Sequence, residues 1–337
     1  MNNIKRQVKD FHLSITKSDY ITSYNLARRS DIVFAEELTP YQFSKLEVNK
    51  NNIEIIKKDD CRVLYRTKKF KLNENDIIFC KTDLIPDLFS ILYNQTGFKN
   101  IKLITHQAAT PSIDEKLFQL KPKIISKWYS INVEFKHPDL IPIPLGLAND
   151  YSKGNIRPQD FIEFFNRSKN IDEYKIEKKI YINFKIDTNI NKRKNILDQF
   201  LTRKDITYKT NLSLSEFIRD MFCHKFILSP EGKGIDTHRF WEAVYLGSIP
   251  IIEKHHTFGE YLKFCISYTD SENLNEEINN QMRLLNQDFQ MFSELLTVSH
   301  LVDKIRKLNI NNEFSKVLNY GLKEKILKKL LIRKFKS

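Results

Sequence analysis

Between Phe226 and Ile252 the chain reads F-I-L-S-P-E-G-K-G-I-D-T-H-R-F-W-E-A-V-Y-L-G-S-I-P-I-I. An apolar run leads into a loop holding Gly232 and Gly234. Asp236 is a good N-cap for a helical segment that ends at Gly247. A helix starting at the carboxyl end of a parallel strand presents unpaired N–H groups and the positive end of its dipole. That end binds anions such as phosphate or diphosphate, and glycines beside it let the backbone come close to a ligand. With successive side chains about 100° apart, Phe240, Ala243, Val244 and Gly247 share a core face. His238, Arg239 and Glu242 share the opposite one. Arg239 can pair with a phosphate. Glu242, one turn on, can accept two sugar hydroxyls. The same residues also fit a ligand-free strand, loop and helix, in which Asp236 only caps and Arg239 pairs with Glu242 at i,i+3.

Glycine is scarce: 8 in 337 residues is about 2.4%, against a usual level of about 7%. Four of the eight, Gly232, Gly234, Gly247 and Gly259, fall in this neighbourhood. The loop has neither the G-K-[ST] of a Walker A nor the spacing G-x-G-x-x-G. No D-x-D occurs: Asp59 and Asp60 are adjacent, and Asp83 and Asp87 are four apart. His255 and His256, with Glu253 and Glu260, have metal-like spacing, but adjacent histidines on a loop point apart. No metal and no cofactor are expected. The four cysteines form no C-x-x-C pair and read as reduced thiols. Trp128 and Trp241 read as core residues.

The elements that must position this block follow the same alternation. Candidate strands are Asp31–Ala35, Cys61–Tyr65, Asp76–Cys80, Ile101–Thr105, Ile124–Trp128 and Leu140–Ile143, with a helix between Asp83 and Tyr93. After the turn signal Pro144–Asp150, a charged helical stretch from Pro158 to Lys178 reads as a connection. Strands at Ile180–Phe184, Phe226–Ser229, Ile249–Ile252 and Cys265–Tyr268 then alternate with helices at Lys192–Thr202, Leu214–Phe222 and Thr237–Leu246. Short buried runs alternating with helices predict α/β units with largely parallel sheets, the second of a nucleotide-binding kind. The expected domains are 1–150, a connection 151–178, a second domain 179–320, and a basic helix 321–337.

The stretch Ser229–Ile252 resembles the donor-binding block of exostosin-like glycosyltransferases. There a Ser/Pro/Gly loop precedes R-x-x-E-A-x-x-x-G-x-I-P-V-I, matched here by Arg239, Glu242, Ala243, Gly247, Ile249 and Pro250. It is more weakly similar to fucosyltransferase-type enzymes, which share the helix ending in G-x-[IV]-P. Further patches fit bacterial and viral exostosin-like proteins: Ile104–Gln107, Trp128–Asn132 with Ile141–Asn149, and Tyr181–Phe184 with Thr188, Asn189 and Arg193. Where many relatives carry an Asn-Asp-like pair after the histidine, this chain has Gln107, Ala108 and Ala109.

The resemblance implies a GT-B architecture, two Rossmann-like domains facing a cleft. It implies a nucleoside-diphosphate sugar on the second domain, with Arg239 on the diphosphate and Glu242 on the ribose. Ser229, Pro230, Gly232, Gly234, Asp236 and His238 would surround the donor, and Asn183, Lys185 and Arg193 would approach its phosphates. Transfer to a hydroxyl of an oligosaccharide or lipid-linked glycan, as in capsule or lipopolysaccharide, is the expected reaction, inverting and metal-independent. The helix dipole and basic side chains would stabilise the leaving diphosphate. An inverting transfer needs a base. His106, after the strand Ile101–Thr105, is the first candidate, with Asp83 and Asp114 as rivals. An epimerase or phosphosugar transferase of the same shape, and a non-enzymatic anion-binding module, stay open.

The charge is 55 − 42 = +13. Residues 321–337 carry seven basic side chains and one acid, 7 − 1 = +6, which leaves +7 over the other 320. The body is therefore no nucleic-acid platform, and no nucleic acid is expected as partner. In the tail, Leu322, Ile326, Leu327, Leu330 and Leu331 cover about half of a helical wheel. The tail reads either as a peripheral anchor on anionic lipid or as a last helix packed back on the first domain. No apolar window of membrane-spanning length occurs, and the N-terminus has no signal-peptide run. The expected location is cytoplasmic, peripheral on the inner membrane face.

Overall fold

The computed structural model describes residues 2–152, 154–168, 170–269, 274–284, 289, 293–307 and 315–336. The chain divides into two compact units. One comprises Ser23–Pro144, Asn149–Tyr151 and Val302–Ser337, the other Met1–Thr22, Leu145–Ala148 and Ser152–Leu301. Each end of the chain thus belongs to a unit other than the one its position in the sequence suggests, and the expected limits 1–150 and 179–320 differ from these units accordingly.

The first unit is built on a seven-stranded sheet. Its strands are β1 (Ile32–Leu38), β2 (Ile53–Lys58), β3 (Val63–Thr67), β5 (Ile77–Lys81), β6 (Ile101–His106), β7 (Ile125–Ser130) and β8 (Leu140–Pro142). A separate strand, β4, spans Lys69–Asn73. The sheet order is β2-β3-β1-β5-β6-β7-β8. Strands β1, β5, β6, β7 and β8 run parallel, while β3 is antiparallel to both β1 and β2. β5 and β6 are buried at every residue, as parallel strands covered on both faces must be. Trp128 is fully buried, and its indole N–H donates to Thr105 Oγ1 at 2.8 Å. Among the described residues no helix is long and apolar enough to cross a membrane.

The second unit carries β9 (Glu177–Ile182), β10 (Ile206–Tyr208), β11 (His224–Leu228), β12 (Ile249–Glu253) and β13 (Ile266–Tyr268). All pair in parallel in the order β10-β9-β11-β12-β13. Successive residues feed opposite faces. Tyr181, Ile227 and Ile252 join one apolar cluster. Ile180, Phe226, Leu228 and Ile251 join another. The helix Ile190–Leu201 packs on the second face through Ile196, Leu197 and Phe200. The helices Leu214–Phe222 and His238–Tyr245 pack on the first. The sheet is therefore doubly wound and Rossmann-like, and its strand order reverses between β9 and β11.

The N-terminal helix Asn2–Ser14 packs in this second unit, not with the strands that follow it. Val8 is fully buried. Lys5 Nζ donates to the Leu246 carbonyl at 2.7 Å and to Ser248 Oγ at 3.1 Å, at the negative end of the His238–Tyr245 helix dipole. Gly247 ends that helix at φ +64°, and a Cβ there would stand 2.5 Å from Val8 Cγ2. Only glycine both turns the chain and admits the N-terminal helix.

The chain returns to the first unit with strand β14 (Ser315–Asn319), antiparallel to β4. The helix Leu322–Lys336 follows. Leu318, Tyr320 and Leu331 are buried in the same apolar cluster as Phe70 and Leu72 of β4. The packed-back alternative for the tail is the one observed. All four cysteines are free.

Candidate functional site

In an open parallel sheet the crevice beyond the carboxyl ends of the strands, where strand order reverses, is the natural ligand position. Here that place is formed by the loops following β9 and β11. Arg193, in the first turn of the Ile190–Leu201 helix and 7% exposed, fastens these loops together. Its Nη1 donates to the Lys185 carbonyl at 2.7 Å, its Nε to the Glu231 carbonyl at 2.8 Å and its Nη2 to the Pro230 carbonyl at 3.2 Å. The guanidinium also lies 5.3 Å from the Phe184 ring centroid. Asn189, the N-cap of the same helix, adds a bond from Nδ2 to the Gly232 carbonyl at 3.1 Å.

Arg239 reaches the same place from the helix His238–Tyr245. It donates to the Asn183 carbonyl, pairs with Glu242 Oε2 at 3.1 Å, and stacks 4.4 Å from the Phe217 ring centroid. The two guanidinium groups feel each other. Burial first, and then the charge of Arg239, push the Arg193 group down to about 10. The N–H groups of Arg193 are satisfied by carbonyl oxygens, and nearby Asp187 and Glu231 offset its charge only in part. Lys185 and Lys233 are exposed beside it and make no side-chain bond among the described residues. The result is a positive region at the switch point, suited to a di-anion.

The helix in front of this region starts at Thr237, which makes no capping bond. Its Oγ1 is buried without a hydrogen-bond partner. Asp236, expected as the cap, sits one residue earlier and only 4% exposed. Its Oδ2 accepts from Leu145 N–H at 2.8 Å, and its Oδ1 from the Trp241 indole at 2.8 Å. Burial pushes this carboxyl up to about 7. His238 Nδ1 donates to the Gly146 carbonyl at 2.8 Å. Asp236 and His238 thus hold the segment Leu145–Ala148 rather than open space.

Glu242 needs the same correction. It was expected on an outward face, but it is 2% exposed. Its Oε1 accepts Ile156 N–H at 3.0 Å while Oε2 takes Arg239. The fully buried Ile156 arrives from 86 residues away, which no helical wheel can foresee. The i,i+3 ion pair is present, and Glu242 orients Arg239. Ser229 is buried too. Its N–H donates to the Ile251 carbonyl at 2.9 Å and its Oγ to the Ile227 carbonyl at 3.3 Å.

Asn183, Lys185, Arg193, Pro230, Gly232, Arg239 and Glu242 are therefore brought together, Ser229 lines only a small hollow beside them, and Asp236 and His238 are not at the open part. Sequence reading gave Asn189 only within a family patch, without a role, and missed Phe217. The N-cap position of Asn189 ahead of a helical run was the signal for the first; nothing local marks the second. Lys192, also unforeseen, pairs with Glu231 at 2.5 Å and Glu253 at 3.3 Å. A hollow of about 40 Å³ opens between Lys192, Ser229, Glu231 and Lys254. It has room for a few waters and not for a nucleotide. Among the described residues no three metal-ligating side chains converge.

The three candidates for a base lie in the seven-stranded unit. His106 ends β6 and is 2% exposed. Its Nδ1 accepts Gln107 N–H at 2.8 Å, and its Nε2 faces the Pro144 carbonyl at 3.2 Å. The carbonyl requires a proton on Nε2, so the lone pair of Nδ1 is already engaged. Asp114 caps the helix Glu115–Gln119, with Oδ1 accepting Leu117 N–H at 2.7 Å. Asp83 follows β5, is 43% exposed at its side chain, and pairs with Lys81 Nζ at 2.7 Å. Asp83 is the most exposed of the three, Asp114 being half-buried and His106 buried.

No family model matches this chain, and no curated protein matches it. A solved structure titled "Crystal structure of GtfA/B complex" is similar over 70% of this chain and 56% of that chain. The identity is 11% and the TM-score 0.32. The likeness spans little more than half the length of that chain.

Proposed function

We propose that this chain is a glycosyltransferase of the GT-B type. It moves a sugar from a nucleoside-diphosphate sugar to a hydroxyl of an oligosaccharide or lipid-linked glycan, with inversion and without a metal. The observation that carries the reading is the pair Arg193 and Arg239 at the switch point of the five-stranded sheet, reached through a block that resembles exostosin-like donor sites. The diphosphate lies against Arg239, Lys185 and the loop that Arg193 braces. Glu242 keeps Arg239 aimed at it. As the acceptor oxygen bonds to the anomeric carbon, the bond to the diphosphate oxygen breaks, and the negative charge left on the departing diphosphate is stabilised by these cations. Asp83 takes the acceptor's proton.

The chain would be given UDP-, GDP-, dTDP-, ADP- and CMP-linked sugars in EDTA, and release of free nucleotide followed. One donor class turned over by the parent chain, and at least about 100-fold more slowly by Arg239→Gln, supports the reading. Turnover of no donor, or equal turnover by the variant, contradicts it.

A further inference from the structure

We propose that the outward face of the C-terminal helix docks on an anionic lipid surface. This inference is independent of the reaction proposed above. The sequence shows one apolar half-wheel in this helix; the fold splits it in two. Leu331 is 5% exposed in the core of the seven-stranded unit. Lys328, on the same inner side, reaches Asp87 Oδ2 at 2.8 Å. Ile326 and Leu330 point the other way, 57% and 51% exposed.

Lys325, Lys329, Ile326, Leu330 and Lys323 are all exposed, and in that order they fill one arc of about 160°. The two apolar side chains stand side by side in it, with Lys325 and Lys329 on one flank and Lys323 on the other. The one acid of the helix is turned away, with Glu324 Oε2 accepting Gly321 N–H at 2.9 Å.

That arrangement matches the boundary of a bilayer. Branched aliphatic groups enter the acyl region, and lysine stems lie along it with their ammonium groups among the headgroups. The charge selects anionic lipid. A nucleic acid would engage the lysines but gain nothing from Ile326 and Leu330.

The test is sedimentation of the full chain with vesicles of phosphatidylcholine alone or with one-third phosphatidylglycerol. Binding is expected only to the anionic vesicles, falling as salt is raised. Ile326→Ser with Leu330→Ser is expected to weaken it about tenfold. Lys325→Gln with Lys329→Gln is expected to weaken it about 25-fold, from about fivefold per lysine. All four side chains are exposed, so thermal midpoints are expected to stay unchanged. Failure to bind anionic vesicles, or undiminished binding by the serine pair, overturns the proposal. So does displacement of the chain from vesicles by duplex DNA that the serine pair binds as well as the parent chain.

Discussion

A Cβ added to Gly232 would stand 2.9 Å from Arg193 Nη2. The end of an arginine side chain ordinarily yields to such a contact, but this one is held by three carbonyl oxygens. The glycine is therefore fixed by the arginine, and the arginine by the two loops that it joins.

Gly232→Ala is expected to move the guanidinium and break at least one of its bonds, each charge-assisted one being worth about 1.5–3 kcal/mol. The thermal midpoint should fall by a few degrees, since about 1 kcal/mol corresponds to roughly 2–4 °C in a unit of this size. Affinity for a nucleoside diphosphate should fall about tenfold. Calorimetry and titration check both, and an unchanged midpoint would show that Arg193 is not held as described.

Glu242 separates orientation from direct recognition. Glu242→Ala leaves Ile156 N–H and Arg239 without their acceptor and should destabilise the five-stranded unit by about 3 kcal/mol. Glu242→Gln keeps an oxygen for Ile156, so it should fold nearly as well while loosening Arg239. Its nucleotide affinity should fall about tenfold. The midpoints and dissociation constants of the pair decide this; equal midpoints for both variants would remove the positioning role.

The base assignment rests on accessibility. Asp83→Asn is expected to lower turnover by about 100-fold or more while nucleotide affinity stays at the parent value. His106→Gln, which removes a buried and fully bonded ring, should act mainly through stability. The reverse order of effects in steady-state kinetics would return the role to His106.

The parallel strands other than Ile206–Tyr208 were legible because each contains a short apolar run, and Ile77–Lys81 and Ile101–His106 are buried at every residue; Ile206–Tyr208, three residues with a threonine at the centre, carries no such run. The positions of Arg239 and Gly232 were legible from spacing alone. The home of the N-terminal helix was not. Its packing depends on Lys5 meeting the Leu246 carbonyl across 241 residues, and a lysine carries no sign of burial. The burial of Glu242 was hidden for the same reason, because its cover, Ile156, comes from a loop. Strand Ser315–Asn319 depends wholly on its partner Lys69–Asn73. The splitting of the tail's apolar half-wheel follows from where the core happens to lie.

Two buried ionisable groups in the five-stranded unit give its stability opposite slopes with pH. The Asp236 carboxyl is pushed up to about 7 by burial, so the folded state holds a proton that the unfolded chain has lost. Its contribution is full below about pH 4 and is lost as pH rises to about 7. Lys5 is pushed down to about 7 by burial. Between about pH 7 and 10 the unfolded chain binds the proton that the folded chain lacks, so stability rises there. Asp236→Asn should lose the fall in midpoint between about pH 4 and 7 while the opposing rise from buried His12, pushed down to about 3, remains, and Lys5→Met should lose the rise between about pH 7 and 10. A parent-like acid slope in Asp236→Asn would contradict the burial of that carboxyl.

The tail is tied down by one carboxylate. Asp87, 1% exposed, receives Arg66, and Lys328 comes to 2.8 Å from its Oδ2. Asp87→Ala leaves half-buried Lys328 without its carboxylate and Arg66 with only that of Glu54, at 2.7 Å, and should cost about 1–3 kcal/mol. Amide exchange should rise first in Leu322–Lys336 and in the strand Ser315–Asn319 that precedes it. Uniform exchange through the seven-stranded unit would mean that the tie is not local.

The central claim is that Arg239, beside the loop that Arg193 braces at the switch point, binds the diphosphate of a nucleotide sugar. The most direct measurement is a thermal-shift panel of UDP, GDP, ADP and dTDP, with each monophosphate beside its diphosphate, in EDTA, on the parent chain and Arg239→Gln. A ligand at 100 times its dissociation constant adds about 2.7 kcal/mol. A rise of several degrees is expected with one diphosphate, a smaller one with its monophosphate, and neither in the variant. A flat panel with the parent chain folded, or a rise that survives in Arg239→Gln, would contradict it.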